Sequence, residues 1–278
     1  MKTITIEELL HWAFVHELGK GGGVNGLDHS GSAWRQMNSS SWGLVSNYAE
    51  LCTLIDRDRS ANDMWIEQGA PHDDALEVGQ AVKDLANLEV VFPEGLALLS
   101  DWPETHGLAD EVIAHAIGRY KLRSPQTRQT HIIGLVISMA VMNRIPDFEA
   151  PVPEIQKISR HGQPLWFVKQ KYEDAFGRSM IVEVDGYNPK AKRPLKGAYQ
   201  KYEFLTDPTA DIMGRIDYQV WVAALKQLEK NLMTRLIDHR LVYSDLSFAP
   251  WLEGYDGVGI SFNQTNRSAV REKFSAPC

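Results

Sequence analysis

The sequence predicts an α+β fold that is mainly helical, with a small antiparallel β-sheet or hairpin inserted before a long C-terminal helix. Three observations carry this expectation. Apolar residues recur at helical spacing through much of the first 145 positions. Two short segments rich in aromatic and β-branched residues, Leu165–Gln170 and Met180–Val184, flank a turn-like centre at Asp174-Ala175-Phe176-Gly177. Beyond them Ile212, Ile216, Val220, Ala224, Leu228, Leu232 and Leu236 repeat every fourth residue, which is one face of a helix.

The first helix has a clear start. Thr5 and Glu8 form a capping box, and Ile4 and Leu9 occupy the staple positions. Its apolar stripe of Ile6, Leu9, Leu10, Ala13 and Phe14 should end near Gly19, because Gly19-Lys20-Gly21-Gly22-Gly23 holds no regular helix cheaply. Further helices are expected over residues 45–55, from Asp73 to Leu85 behind Pro71, and from Leu108 to Tyr120. Ser124-Pro125 supplies a capping hydroxyl and then a first-turn proline, so the next helix runs from Pro125 to about Asn143. Pro146, Pro151 and Pro153 make residues 146–153 the best linker. Residues 1–145 then form a helical N-terminal part and 154–278 a hairpin, a long helix and an irregular tail, as two domains or within one. Ala198–Leu205 is a candidate third strand. From Asp207 to His239 an unbroken helix would be about 48 Å long.

Charge is sorted along the chain. Residues 1–111 carry 6 Lys/Arg against 19 Asp/Glu, residues 112–205 carry 15 against 8, and residues 206–278 carry 8 against 9. No acidic residue occurs from Val112 through Pro146. A basic segment within a protein of net charge −7 is a footprint for a polyanion or an acidic protein surface. The bland alternative is that acidic and basic segments pack on each other, within one chain or in a homo-oligomer.

Two clusters stand out. In the basic helical hairpin 108–144, Arg119, Lys121 and Arg123 precede a helix that opens with Gln126, Arg128, Gln129 and His131. That layout resembles a helix-turn-helix, with polar first-turn residues for base edges and flanking cations for phosphates. The apolar run Ile132–Met142 favours a plain core helix instead. The second cluster is Lys190, Lys192, Arg193, Lys196 and Lys201, interleaved with Tyr187, Tyr199 and Tyr202. Basic loops with aromatics hold single strands by charge and stacking, and such a loop also suits an acidic protein.

Other chemistry is less well supported. The glycine run lacks the preceding strand and the Lys-Ser or Lys-Thr end of a phosphate loop. His11 and His16 are five apart, poorly placed for one helical face. His72, Asp73 and Asp74 are weak metal candidates, and both acids also suit a helix N-terminus. A metal-dependent hydrolase built on them with a distant histidine is a further alternative. No nucleophile elbow is present, and Cys52 sits in an apolar run. No catalytic residue and no cofactor is assigned.

Two cysteines, no secretory leader pattern and no apolar stretch near 20 residues point to a cytoplasmic protein without a membrane segment. The opening Ile6-Glu7-Glu8-Leu9-Leu10-His11-Trp12-Ala13-Phe14-Val15-His16-Glu17-Leu18 resembles that of a group of proteins encoded by temperate phages and prophages of alphaproteobacteria. Pro71-His72-Asp73-Asp74-Ala75-Leu76 and the stretch from Tyr202-Glu203-Phe204 to Asp217-Tyr218-Gln219-Val220-Trp221 are similar to it in layout. The likeness covers about half the chain and implies a phage or prophage origin, with no activity to carry over. The expectation is a non-enzymatic binding protein: a nucleic-acid-binding regulator or accessory factor, or else a protein-binding module that inhibits a host factor or serves phage assembly.

Overall fold

The structure, a computed structural model, describes residues 1–18, 71–173 and 178–264. The helix expected over 45–55, the glycine run 19–26, Cys52 and the turn centre 174–177 lie outside the described residues. In chain order the elements are β1 (Lys2–Ile4), α1 (Ile6–Trp12), α2 (Asp73–Asp84), β2 (Leu88–Val91), α3 (Leu108–Leu122) and α4 (Pro125–Met142). There follow β3 (Ile155–Lys157), β4 (Ser159–Arg160), β5 (Gln163–Pro164), β6 (Phe167–Glu173), β7 (Ser179–Asp185), β8 (Tyr187–Asn188), β9 (Arg193–Pro194) and β10 (Tyr202–Phe204). The last are α5 (Thr209–Leu232), β11 (His239–Leu241) and β12 (Ser261–Gln264).

The expected fold class is corrected. The described residues are 41% helix and 20% strand, a mixed α+β composition rather than a mainly helical one. Among the described residues strand is distributed over six two-stranded sheets, not one inserted hairpin. The long helix expected from Asp207 to His239 is also not found. α5 stops at Leu232, short of His239, and β11 and β12 follow it. The reason is tertiary. The backbone N–H groups of Ile237, Asp238 and His239 all donate to the Asp74 carboxylate. His239–Leu241 then pairs in parallel with Lys2–Ile4. The i+4 pattern reaching Leu236 cannot outweigh these bonds.

Local signals near helix ends are realised. Thr5 Oγ1 accepts the Glu8 N–H at 3.3 Å, and Glu8 Oε2 accepts the Thr5 N–H at 3.4 Å. Ser124 Oγ accepts the Thr127 N–H at 3.1 Å behind Pro125, and α4 ends on Asn143 at φ 48°. After Trp12, α1 widens into a π-turn over Ala13–Glu17, closed by the Leu18 N–H on the Ala13 carbonyl. A π-turn spaces neighbours five apart. It therefore brings the rings of His11 and His16 to 5.8 Å, which α-helical spacing would not.

The described residues fall into two compact units. The first comprises 1–98, 119–149 and 213–278. Ile6, Leu9, Phe14, Val78, Val82, Ile132, Val136, Ile216, Leu225 and Leu228 are buried in it. Arg215 is buried there too. It donates to the Phe148 and Leu98 carbonyls at 3.0 and 2.6 Å and lies 4.4 Å from the Trp251 ring. β2 and β12 pair antiparallel in the same unit.

The second unit comprises 99–118 and 150–212, and it contains eight strands, β3 to β10, among the described residues. β3 pairs with β10, β4 with β5, β6 with β7 and β8 with β9, all antiparallel. β4 and β5 are joined by His161-Gly162 at φ 52° and 76°, the pair of positive values that a type I′ hairpin turn requires. Trp102 Nε1 donates to the Ala150 carbonyl at 2.9 Å and its ring meets Phe204 edge-on. Buried Gly186 closes the base of the long hairpin. Its N–H donates to the Trp166 carbonyl, and a Cβ there would lie 2.9 Å from the Phe167 backbone.

Candidate functional site

The β8–β9 segment is a short basic hairpin. Tyr187↔Pro194 and Asn188↔Arg193 form its ladder. Asn188 Oδ1 accepts the N–H groups of Lys190 and Ala191 at 3.0 and 3.1 Å, a local side-chain turn that sets the loop. Lys192 stands at φ 49°, a left-handed conformation that costs a non-glycine residue about 1 kcal/mol. Lys190, Lys192, Arg193 and Lys196 are all exposed, and none has an acidic partner among the described residues. Asn188 orders the backbone while the charges stay in water. From Ile155 to Phe204 the sequence carries ten Lys/Arg against five Asp/Glu.

Lys201, grouped with these four from the sequence, is placed differently. Its ammonium pairs with Glu183, and it lies 5.0 Å from the Phe167 ring. Tyr199 donates to the same carboxylate. The Lys201 hydrogen bond, then that of Tyr199, holds the Glu183 carboxyl below the usual range. Sequence reasoning passed over exposed Lys169, Lys171 and Tyr172 on β6. Strand alternation over Phe167–Glu173 was the available signal, because it leaves the lysines on one face and Tyr172 on the other.

The basic helical hairpin resolves into groups with internal partners and groups in solvent. Arg128 Nη1 donates to the carbonyls of Lys121 and Arg123 at 2.6 and 3.1 Å, beside the C-terminus of α3. Those carbonyls have no helical partner of their own. His131 Nε2 lies 2.8 Å from Asp217 Oδ1. The Arg123 guanidinium sits 5.2 Å from the Tyr120 ring, and Lys121 lies 5.5 Å from Phe92. Burial, helped by the Asp217 charge, pushes the Tyr120 hydroxyl up to about 12. Arg119, Lys121 and Gln126 are exposed, and Gln129 is half-buried. Arg128, Gln129, Pro125 and Ile132 line a groove of about 110 Å³ with Leu88, Glu89 and Val90.

His72, Asp73 and Asp74 diverge. Asp73 points to solvent, whereas Asp74 is 0% exposed. Besides the three backbone donors, Asp74 Oδ2 lies 2.8 Å from His239 Nδ1. His72 caps α2, its Nδ1 accepting the Asp74 N–H at 3.1 Å, while its Nε2 faces Asp238 at 3.2 Å. The Trp12 ring packs against His72 and His239 at 5.4 and 4.6 Å. The arrangement ties the start of β11 to the start of α2. Among the described residues no three His, Cys, Asp or Glu side chains converge as a metal site.

No helix among the described residues is long and apolar enough to cross a membrane. Comparison with protein-family models, curated proteins and solved structures finds no match to this chain.

Proposed function

We propose that this protein works by binding, and that its β-rich unit holds a polyanion, of which nucleic acid is the best-fitting class. One observation carries the reading: Lys190, Lys192, Arg193 and Lys196 are exposed on or just after one hairpin whose backbone Asn188 sets, and none pairs with an acidic side chain among the described residues. Cations held on a preset backbone neutralise phosphates at little ordering cost. Exposed Tyr187 and Tyr172 supply flat surfaces on which unpaired bases stack. In the helical hairpin Arg128 and His131 have protein partners, so that segment does not carry the reading. A cytoplasmic accessory or regulatory role, in keeping with the resemblance to phage-encoded proteins, belongs to the same reading.

The test is a titration of fluorescent single-stranded and duplex oligonucleotides with the full chain. Replacing Lys190 and Arg193 together by Glu should weaken binding about tenfold or more at low salt. Equal affinity for the double variant and the natural protein would remove the reading. A second reading, a protein-binding module, is supported by apolar side chains left in solvent on β6 and β7: Tyr172 (61% exposed), Met180 (51%) and Ile181 (73%).

A further inference from the structure

We infer that β7 is a dimerisation edge, through which two copies of this chain pair antiparallel into a four-stranded sheet about a two-fold axis at Val182. The argument begins with the ladder itself. β6 and β7 pair over seven residues, from Phe167↔Asp185 to Glu173↔Ser179. Among the described residues their sheet has no third strand, and the other side of β6 is bridged only at Phe167, by Tyr199. Along most of its length the outer edge of β7 has no backbone partner among the described residues. A lone two-stranded ribbon is marginal in water, and this one leaves large apolar side chains exposed on both faces.

The two edges differ in the way that separates a protected edge from a usable one. β6 carries Lys169 and Lys171, both exposed. Lysines on an edge discourage pairing with another chain. β7 reads Ser179-Met180-Ile181-Val182-Glu183-Val184-Asp185 and has none. Pairing β6 with itself about Gln170 would set Lys169 against Lys171 of the second copy, like charge on like.

β7 suits its own copy. Strand alternation places Met180, Val182 and Val184 on one face and Ile181 and Glu183 on the other. An antiparallel register centred on Val182 uses all seven residues. It sets Met180 against Val184, Val182 against itself, Ile181 against Glu183 and Ser179 against Asp185. Apolar faces then merge on one side of the sheet, with Val168 and Tyr172 of each β6 extending them. The charged face is complementary as well. Each Glu183 lies between Lys169 on its own β6, its ladder partner, and Ile181 then Lys171 of the second copy. A register centred on Glu183 would instead oppose two carboxylates. The contact is isologous and closes at two copies.

Sedimentation of the full chain over about 1–200 μM tests the inference. The expected result is a monomer–dimer equilibrium that Met180→Lys with Val182→Lys shifts to monomer, far-UV circular dichroism being unchanged. Val182→Cys in a Cys52→Ser, Cys278→Ser background should crosslink on mild oxidation, and Gln170→Cys in that background should not. A monomer at every concentration would overturn the inference. So would a dimer that the lysine pair leaves intact, or crosslinking at residue 182 no greater than at residue 170.

Discussion

Asp74 and His239 are 165 residues apart in sequence and 2.8 Å apart in space, with the aspartate carboxylate fully buried against the imidazole and three backbone N–H groups. This contact decides where α5 gives way to β11. It also anchors the start of β11, which pairs with β1.

Stability should depend on that carboxylate, with a defined pH signature. Burial alone would raise the Asp74 carboxyl, but the bonds from Ile237, His239 and Asp238 outweigh it and hold it below the usual carboxylate range. A depressed acid contributes stability above its unfolded value and loses it as pH falls through its folded value. Asp74→Asn should therefore cost about 2–4 kcal/mol near neutrality. The gap to the natural protein should shrink below about pH 4. Thermal melts at both pH values read this directly, and a gap that is independent of pH would contradict it.

Arg128 should matter for folding rather than for ligand. Its two bonds to the Lys121 and Arg123 carbonyls satisfy a helix end. Arg128→Gln should lower stability by about 1–2 kcal/mol and leave oligonucleotide affinity within about twofold, much less than loss of a phosphate contact costs. A large affinity loss with an unchanged melting temperature would return Arg128 to the binding surface.

Asn188 should act on affinity without any change of charge. Its side-chain oxygen sets the backbone at Lys190 and Ala191. Asn188→Ala should loosen the loop and weaken polyanion binding by about two- to fivefold, the cost of ordering it on binding. The salt dependence should stay as it is. Fluorescence anisotropy at several salt concentrations separates the two effects.

Much of the helical framework was legible because its signals are local. Thr5 with Glu8, and Ser124 with Pro125, announce helix starts within four residues of sequence. The strands were harder. β4, β5, β8 and β9 are two residues each, too short for alternation to register, although His161-Gly162 is a readable turn. The end of α5 was illegible in principle, since it depends on the carboxylate of Asp74, 158 positions before Leu232. The basic cluster at Lys190–Lys196 could be read from charge alone. Which cations face water could not, because Lys201 and Arg128 find their partners only in the folded chain. The π-turn that joins His11 to His16 has no sequence rule at all.

The most direct measurement is the salt slope of oligonucleotide binding, taken on the natural protein and on the variant with Lys190, Lys192, Arg193 and Lys196 all replaced by Gln. Four phosphate contacts give a slope of about −3 on single strands and nearer −4 on duplex. A fourfold rise in salt should thus weaken the natural protein by about 50- to 150-fold, and the variant should lose most of that slope. A natural protein that binds neither strand form at low salt, or a variant with an unchanged slope, would contradict polyanion binding by this hairpin.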